Sequence, residues 1–452
     1  MRDERARDGM TIDRDDGPGA VTGTDRHGLG RANDAGDGEH ELTVDTAREH
    51  ILAAVRPLPV VVTPIAAVAG MTLATAIHAP IDLPPFANAA MDGYALRAAD
   101  VAGGQTRFRV VAGVAAGHQP TAPVAPGTAV RIMTGAPIPA GADLVVRFED
   151  VALTGDRQSG ETDEPEISLT RPVVAGQNIR PAGEDLARGA LAIAAGTTLT
   201  SAHIGLLAAL GLGEVPVHRR PVVAVLATGD ELRGPGDPLG PAQVHDANGP
   251  MLAAMVREAG GEPLGLGIAR DDRADLLGRL AAAGGADLIV TAGGVSAGDF
   301  DLVKDVLREA GEVAFWRVRM RPGRPLAFGH LGGVPLVGLP GNPVAAAVAF
   351  LQFVRPAILT LLGRTSSDLA LPVVPARLLD RVENRGGRRH FVRVRLAGPE
   401  GDRTARLAGP QGAGMLAGLA VADGLLVIPE DCPLAEPGTT FPVQVLPVHG
   451  HS

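Results

Sequence analysis

Apolar and polar positions divide the chain into regions of different texture. Between Glu41 and Ala79, Leu42, Val44, Ile51, Leu52 and Val55 recur at helical spacing. Pro57-Leu58-Pro59 breaks the period, and a second short helix is expected after it. From Pro80 to about Asp185 the pattern shortens into strands with frequent turns, clearest at 108–112, 129–133 and 143–148. Residues 154–166 are polar and read as an exposed loop, and Ala202 to Leu212 reads as a helix closed by Gly211 and Gly213.

At Pro221 strands and helices begin to alternate. The expected order is strand 222–228, helix 249–259, strand 264–268, helix 273–283, strand 287–291, helix 301–310, segment 313–319, strand 334–339 and helix 343–361. Such alternation implies right-handed crossovers and a mostly parallel sheet. After Thr365, four or five short strands predict a small C-terminal β-barrel or sandwich. The expected fold class is therefore multidomain, α/β plus β. Its parts are a disordered acidic tail (1–41), a helical linker domain (42–79 plus 186–219), a β-rich domain (80–185), an α/β domain (220–363) and a C-terminal β-domain (366–449).

Composition narrows the function. With 452 residues and 45% hydrophobic positions the chain can bury several cores, and 3% aromatics means that Val, Leu and Ala pack them. The net charge of −10 argues against nucleic acid as partner. Part of it is local: residues 1–45 carry 12 acidic and 6 basic side chains with few apolar ones, the signature of disorder. No uninterrupted apolar run approaches the ~20 residues of a membrane span, so 343–361 is expected to be a buried helix. A single cysteine, Cys432, excludes disulfides within the chain and thiolate metal clusters, and a cytoplasmic location is expected.

In open parallel sheets, ligands bind beyond the carboxyl ends of the strands. Strand 222–228 ends in Thr228-Gly229-Asp230-Glu231, and strand 264–268 leads to Asp271-Asp272. Strand 287–291 runs into Gly293-Gly294-Val295-Ser296, with Asp299 and Asp301 beyond, and strand 334–339 ends in Pro340-Gly341-Asn342-Pro343. Glycine turns offer backbone N–H groups to phosphate, whereas carboxylates repel it. Mg²⁺ resolves the conflict by bridging carboxylates to phosphate oxygens. Helix capping is the competing role for Asp230, Asp271 and Asp301. Further on, Arg317, Arg319, Arg321 and Arg324 form a compact cationic stretch suited to an oxyanion, with a solvated edge strand as the alternative. HExxH, GxSxG, GxxxxGK[ST] and CxxC are all missing from the sequence.

These motifs resemble the MoeA family of molybdopterin molybdenumtransferases, to which the E domain of gephyrin is related. The resemblance runs from about 42 to 449 and rests on separated runs. In the first half they are Asn88-Ala89-Ala90-Met91-Asp92-Gly93-Tyr94-Ala95, Arg131-Ile132-Met133-Thr134-Gly135-Ala136 and Gly183-Glu184-Asp185. In the second half they are Thr228 to Glu231, Gly293 to Ser296, Arg321-Pro322-Gly323-Arg324-Pro325 and Gly338-Leu339-Pro340-Gly341-Asn342-Pro343. It implies a MogA-like α/β domain, a homodimer, Mg²⁺, and insertion of molybdate into adenylyl-molybdopterin with release of AMP.

By position, Glu231, Asp271 and Asp301 correspond to the acidic, metal-binding set, with Asp230 beside them. Asp92, Thr134, Arg180 and Asp185 correspond to residues of the β-rich domain, which in the family faces the α/β site of the other subunit. Arg317, Arg321, Arg324 and Arg388 correspond to the basic residues of the molybdate end. An adenylyltransferase and the molybdoenzymes are implied as partners. The chain departs from the family pattern where arginine replaces lysine at 321 and 324, where Ala345 and Ala413 replace frequent serines, and at His245-Asp246-Ala247-Asn248. Two alternatives remain open: a molybdopterin adenylyltransferase, resembling 220–363 alone, and a molybdopterin-binding scaffold without turnover.

Overall fold

The computed structural model describes residues 41–154, 166–295 and 311–447, together with Val306 and Glu309. The expected acidic tail, most of the loop at 154–166 and most of the helix at 301–310 lie outside the described residues. So do Ser296, Asp299 and Asp301.

A seven-stranded sheet organises the α/β part. Its order is Glu41–Leu42, Gly311–Val318, Pro325–Leu331, Val334–Leu339, Leu288–Ala292, Val222–Thr228 and Glu262–Ala269. The last four strands run parallel to one another. Continuous apolar strands suit a sheet covered on both faces, and alternate residues feed two cores. Val223, Val225, Val290 and Val337 pack beneath helix Asn248–Glu258 and the long helix that begins at Pro343. Ala224, Leu226, Ile289 and Leu336 pack beneath helix Arg273–Ala281.

Three features depart from the sequence reading. The segment directly after Pro59 is a strand, Val60–Pro64, antiparallel to Glu214–His218, and the helical part that follows is confined to the three-residue 3-10 turn Ile65–Ala67. Three consecutive valines, each β-branched, favour the extended chain and outweigh the apolar spacing. Pro325–Leu331 is an additional strand, joined to Val334–Leu339 by the two-residue turn Gly332-Gly333, so this edge of the sheet is antiparallel. Finally, Glu41–Leu42 extends the sheet by pairing parallel to Gly311–Val318, and helix Val44–Ala53 buries Val44, Ala47 and Ile51 in the α/β core.

The long helix Pro343–Leu361 has 19 residues and is apolar enough to cross a membrane by composition, yet 89% of its most apolar window is buried in the protein. Its middle, Phe350–Val354, widens into a π-turn just before Pro356, whose missing N–H interrupts the regular ladder. A smaller unit joins Val68, Met71 and Leu73 to Ile193, Leu207, Val215 and Val217. A six-stranded sheet spans the β-rich part in the order Leu144–Arg147, Gly93–Leu96, Thr128–Ile132, Arg107–Val114, Glu166–Leu169 and Val151–Thr154. At the C-terminus, Arg389–Ala397, Thr404–Leu407, Val373–Leu378, Thr440–Val445 and Gly424–Ile428 close into a five-stranded barrel, because the last strand pairs back onto the first. Cys432 packs against its core.

Candidate active site

The four parallel strands end at one cavity of about 580 Å³. It is lined by Thr228, Gly229, Glu231 and Asp271 on one side and by Gly293, Gly294, Pro340, Gly341 and Asn342 on the other. With Val295 and Pro343, which also line it, eleven of the residues expected at the strand ends are thus brought together. Two glycines make the rim possible. Gly293 has φ +101°, and a Cβ there would lie 2.6 Å from Thr228 Oγ1 and 2.7 Å from its carbonyl oxygen. At Gly229 (φ +147°) a Cβ would meet the Glu231 carboxylate at 2.5 Å, so the side chain folds back over its own turn only because the turn is glycine.

The acidic edge is held from below. Asp230 Oδ1 accepts the Asp271 backbone N–H at 3.1 Å, and the cap of helix Arg273–Ala281 is Asp272, which accepts from Asp275 N. Neither Asp230 nor Asp271 therefore serves as the helix cap that was their alternative role. Partial burial, and then the charges of Asp230 and Glu231, push the Asp271 carboxyl above its ordinary range. Among the described residues none of these three carboxylates has an ion-pair partner, so their negative charge is uncompensated. A divalent cation fits that donor chemistry. The described residues contain no group of three or more His, Cys, Asp or Glu side chains able to hold a metal by themselves; the third expected carboxylate, Asp301, lies outside them.

Asn248 was not singled out by sequence reasoning as a site residue. It is 5% exposed, lines the cavity, and donates from Nδ2 to the Gly341 carbonyl at 2.7 Å, while its Oδ1 is buried without a partner. The one sequence signal was its place in the His245-Asp246-Ala247-Asn248 run.

The other candidates stand elsewhere in the chain. Asp92 Oδ1 accepts both the backbone N–H of Thr134 (2.6 Å) and its hydroxyl (2.7 Å), and these hydrogen bonds hold the Asp92 carboxyl below its usual range. Arg180, opposite Asn88 on a short strand pair, and Asp185 are exposed in the same region. None of the four lines the α/β cavity within one chain.

The arginines gather where the sheet meets the barrel. Met320–Arg321 pairs parallel to Arg389 and His390, which sets Arg321 opposite His390, two residues after Arg388. Arg324 Nε donates to Glu41 Oε1 at 3.0 Å, and Arg317 lies in register with Glu41. His390 is 3% exposed, and burial followed by the charges of Arg321 and Arg393 lowers its pKa to about 4.

Comparison with known proteins gives a consistent pattern. A family model described as the MoeA N-terminal region (domain I and II) matches residues 42–211, one for a probable molybdopterin binding domain matches 224–360, and one for the MoeA C-terminal region (domain IV) matches 375–446. "Molybdopterin molybdenumtransferase 2" of Mycobacterium tuberculosis is 40% identical over 418 residues, 90% of this chain and 98% of that protein. "Molybdopterin molybdenumtransferase" of Haemophilus influenzae is 39% identical over 326 residues, 72% of this chain and 78% of that protein. A solved structure of the molybdopterin biosynthesis MoeA protein from Pyrococcus horikoshii superposes with a TM-score of 0.76 at 33% identity, covering 90% of this chain and 99% of its own. A second one gives 0.73 at 27% identity, covering 90% and 100%.

Proposed function

Since the chain belongs to the MoeA family, we propose that it is a molybdopterin molybdenumtransferase, inserting molybdate into adenylyl-molybdopterin with release of AMP. The observation that carries this reading is the meeting of Glu231 and Asp271 with the glycine turns at 293–294 and 341–342 around one cavity. The two sides of that cavity suit the two ends of a phosphoanhydride: backbone N–H groups for its oxygens, carboxylates for the cation that accompanies it.

Glu231 and Asp271, with Asp301, would hold Mg²⁺. When bound, the ion supplies a positive charge that offsets the charge developing on the departing phosphate. The chain's own groups do the rest. Thr228, Gly229, Gly293, Gly294, Ser296, Pro340, Gly341 and Asn342 cradle the adenylylated ligand. Asp230 fixes the turn that carries Asp271, and Asp271 or Asp301 orients the attacking water. Arg317, Arg321, Arg324 and Arg388 serve the molybdate dianion, with guanidinium forks matched to oxyanions.

Asp92, Thr134, Arg180 and Asp185, none of which lines the cavity of its own chain, complete the cleft from the second subunit of a homodimer. The reading includes the five-part domain division given above, a cytoplasmic location, an adenylyltransferase as supplier and molybdoenzymes as recipients.

The test is incubation of purified protein with adenylyl-molybdopterin, Mg²⁺ and molybdate, following AMP and active cofactor together. Molybdate-dependent release of AMP with formation of cofactor is expected. AMP release indifferent to molybdate would reduce the activity to hydrolysis, and absence of both products would leave a binding scaffold.

A further inference from the structure

A second large pocket, about 680 Å³, opens at the opposite end of the long helix from the candidate active site. The helix starts at Pro343, on the rim of the first cavity, and runs 19 residues to Leu361. At roughly 1.5 Å per residue, the two ends lie about 28 Å apart. Among the residues lining the second pocket are Thr197 and Thr198 of the linker unit, Arg355 on the helix, and Arg364, Thr365 and Ser367 just after it.

The two arginines are the anomaly. Arg355 Nη1 donates to the Leu369 carbonyl at 2.9 Å, and Arg364 Nη2 reaches the Gly70 carbonyl at 3.5 Å. Arg364 Nε is buried with no hydrogen-bond partner. Among the described residues neither guanidinium has a carboxylate in ion-pair contact, whereas Arg219, Arg279 and Arg389 all do. Burial disfavours the charge on both, and Arg355 is further disfavoured by Arg364 itself. Asp368, which also lines the pocket and accepts from Thr365 Oγ1 at 3.2 Å, offsets part of the charge on Arg364 without reaching ion-pair contact, and leaves Arg355 uncompensated. Two mutually repelling, partly desolvated cations with a stranded N–H are costly unless a counter-charge joins them.

We infer that this pocket is a second anion site, taking the phosphate group of a small phosphorylated molecule between Arg355 and Arg364, with the Thr197, Thr198 and Ser367 hydroxyls as further donors. Guanidinium forks match phosphate oxygens. The volume lies in the ~300–1,000 Å³ range of small-molecule sites and exceeds what one phosphate needs. The occupant is therefore free pyrophosphate or a nucleoside phosphate. The inference does not depend on the transferase reading, because no residue is shared between the two cavities.

Calorimetric titration of the full chain with inorganic pyrophosphate at constant ionic strength tests it. Arg364→Gln is expected to weaken binding at least tenfold. Ser367→Glu, which supplies the missing negative charge from an exposed position, should abolish binding while raising the melting temperature of the anion-free protein. Arg388→Gln, in the basic cluster at the barrel, should leave pyrophosphate binding here unchanged. In that background, AMP binding more tightly than pyrophosphate assigns the site to nucleotides, and equal binding assigns it to free phosphates; both support an anion site. Wild-type affinity in folded Arg364→Gln, or loss confined to Arg388→Gln, overturns the inference. So does equal competition by chloride. If Arg364→Gln does not fold, Ser367→Glu decides alone: undiminished binding in that variant refutes the site. Dissociation of a dimer by Arg364→Gln, with no anion bound by the wild type, would show instead that a second copy supplies the counter-charge.

Discussion

His390→Gln isolates one buried group whose contribution is calculable. The imidazole is 3% exposed on the barrel strand opposite Arg321, its Nδ1 has no partner, and its pKa falls from 6.5 to about 4. Desolvation is the larger cause, followed by repulsion from Arg321 and Arg393. Above both pKa values the ring is neutral in the folded and the unfolded chain, and pH has no leverage through it. Below 6.5 the unfolded chain takes a proton that the folded chain refuses, so stability is lost as pH falls from 6.5 toward about 4. With each unit worth about 1.4 kcal/mol, the full loss is about 3 kcal/mol, and roughly 2 kcal/mol of it falls between about pH 7.5 and about pH 5. Urea unfolding of both proteins at both pH values measures this as a double difference, cancelling the carboxylates they share. The wild type should lose roughly 2 kcal/mol more than His390→Gln over that interval. Equal losses would mean that the ring is hydrated or paired in solution, and the electrostatic account of this corner would fail.

Asp271→Asn should abolish turnover without lowering the unfolding midpoint, since it removes one of three uncompensated like charges; light scattering should show an unchanged oligomer, and dissociation would make the residue structural. Arg321→Ala should raise the molybdate concentration needed for turnover more than it alters affinity for adenylyl-molybdopterin, and equal losses in both would refute an oxyanion role. Gly293→Ala should destabilise by on the order of 2–4 kcal/mol, because its methyl would overlap Thr228 and its φ is +101°; a normal melting temperature would show that the strand-end turns can separate.

How far these features were legible depended on whether the signal was local. Strand Val222–Thr228 and Gly229 to Glu231 declare themselves through an unbroken apolar run followed by a glycine turn, and the structure sets that turn on the cavity as expected. Strand Pro325–Leu331 had a local signal too, the Gly332-Gly333 turn between apolar runs, but the preceding arginines point first to an oxyanion clamp and conceal the hairpin. Val60–Pro64 stands where a short helix is expected, although its three valines favour a strand; its partner, Glu214–His218, lies about 150 residues away and decides the matter. Asn248 was invisible for a related reason. A buried amide with an open acceptor acquires meaning only when Gly341 is known to lie beneath its Nδ2.

The N-terminal strand changes how the basic cluster is weighed. As sequence, Arg317, Arg321, Arg324 and Arg388 are four equivalent cations. In the fold, Glu41 takes Arg324 at 3.0 Å, Asp45 binds Arg389 through both carboxylate oxygens, and the barrel strand sets His390, two residues after Arg388, opposite Arg321. Among the described residues Arg321 and Arg388 have no carboxylate partner, and Arg388 Nε is buried without any acceptor. His390, kept neutral between Arg321 and Arg393, adds no charge of its own to a corner that is already cationic. An arriving dianion would therefore find two uncompensated guanidinium groups next to a ring able to accept a proton. Its negative charge would raise the His390 pKa toward the ordinary value, so oxyanion binding at Arg321 and Arg388 should recover part of the stability lost near pH 5. Arg324, already held by Glu41, fixes the sheet edge that presents them.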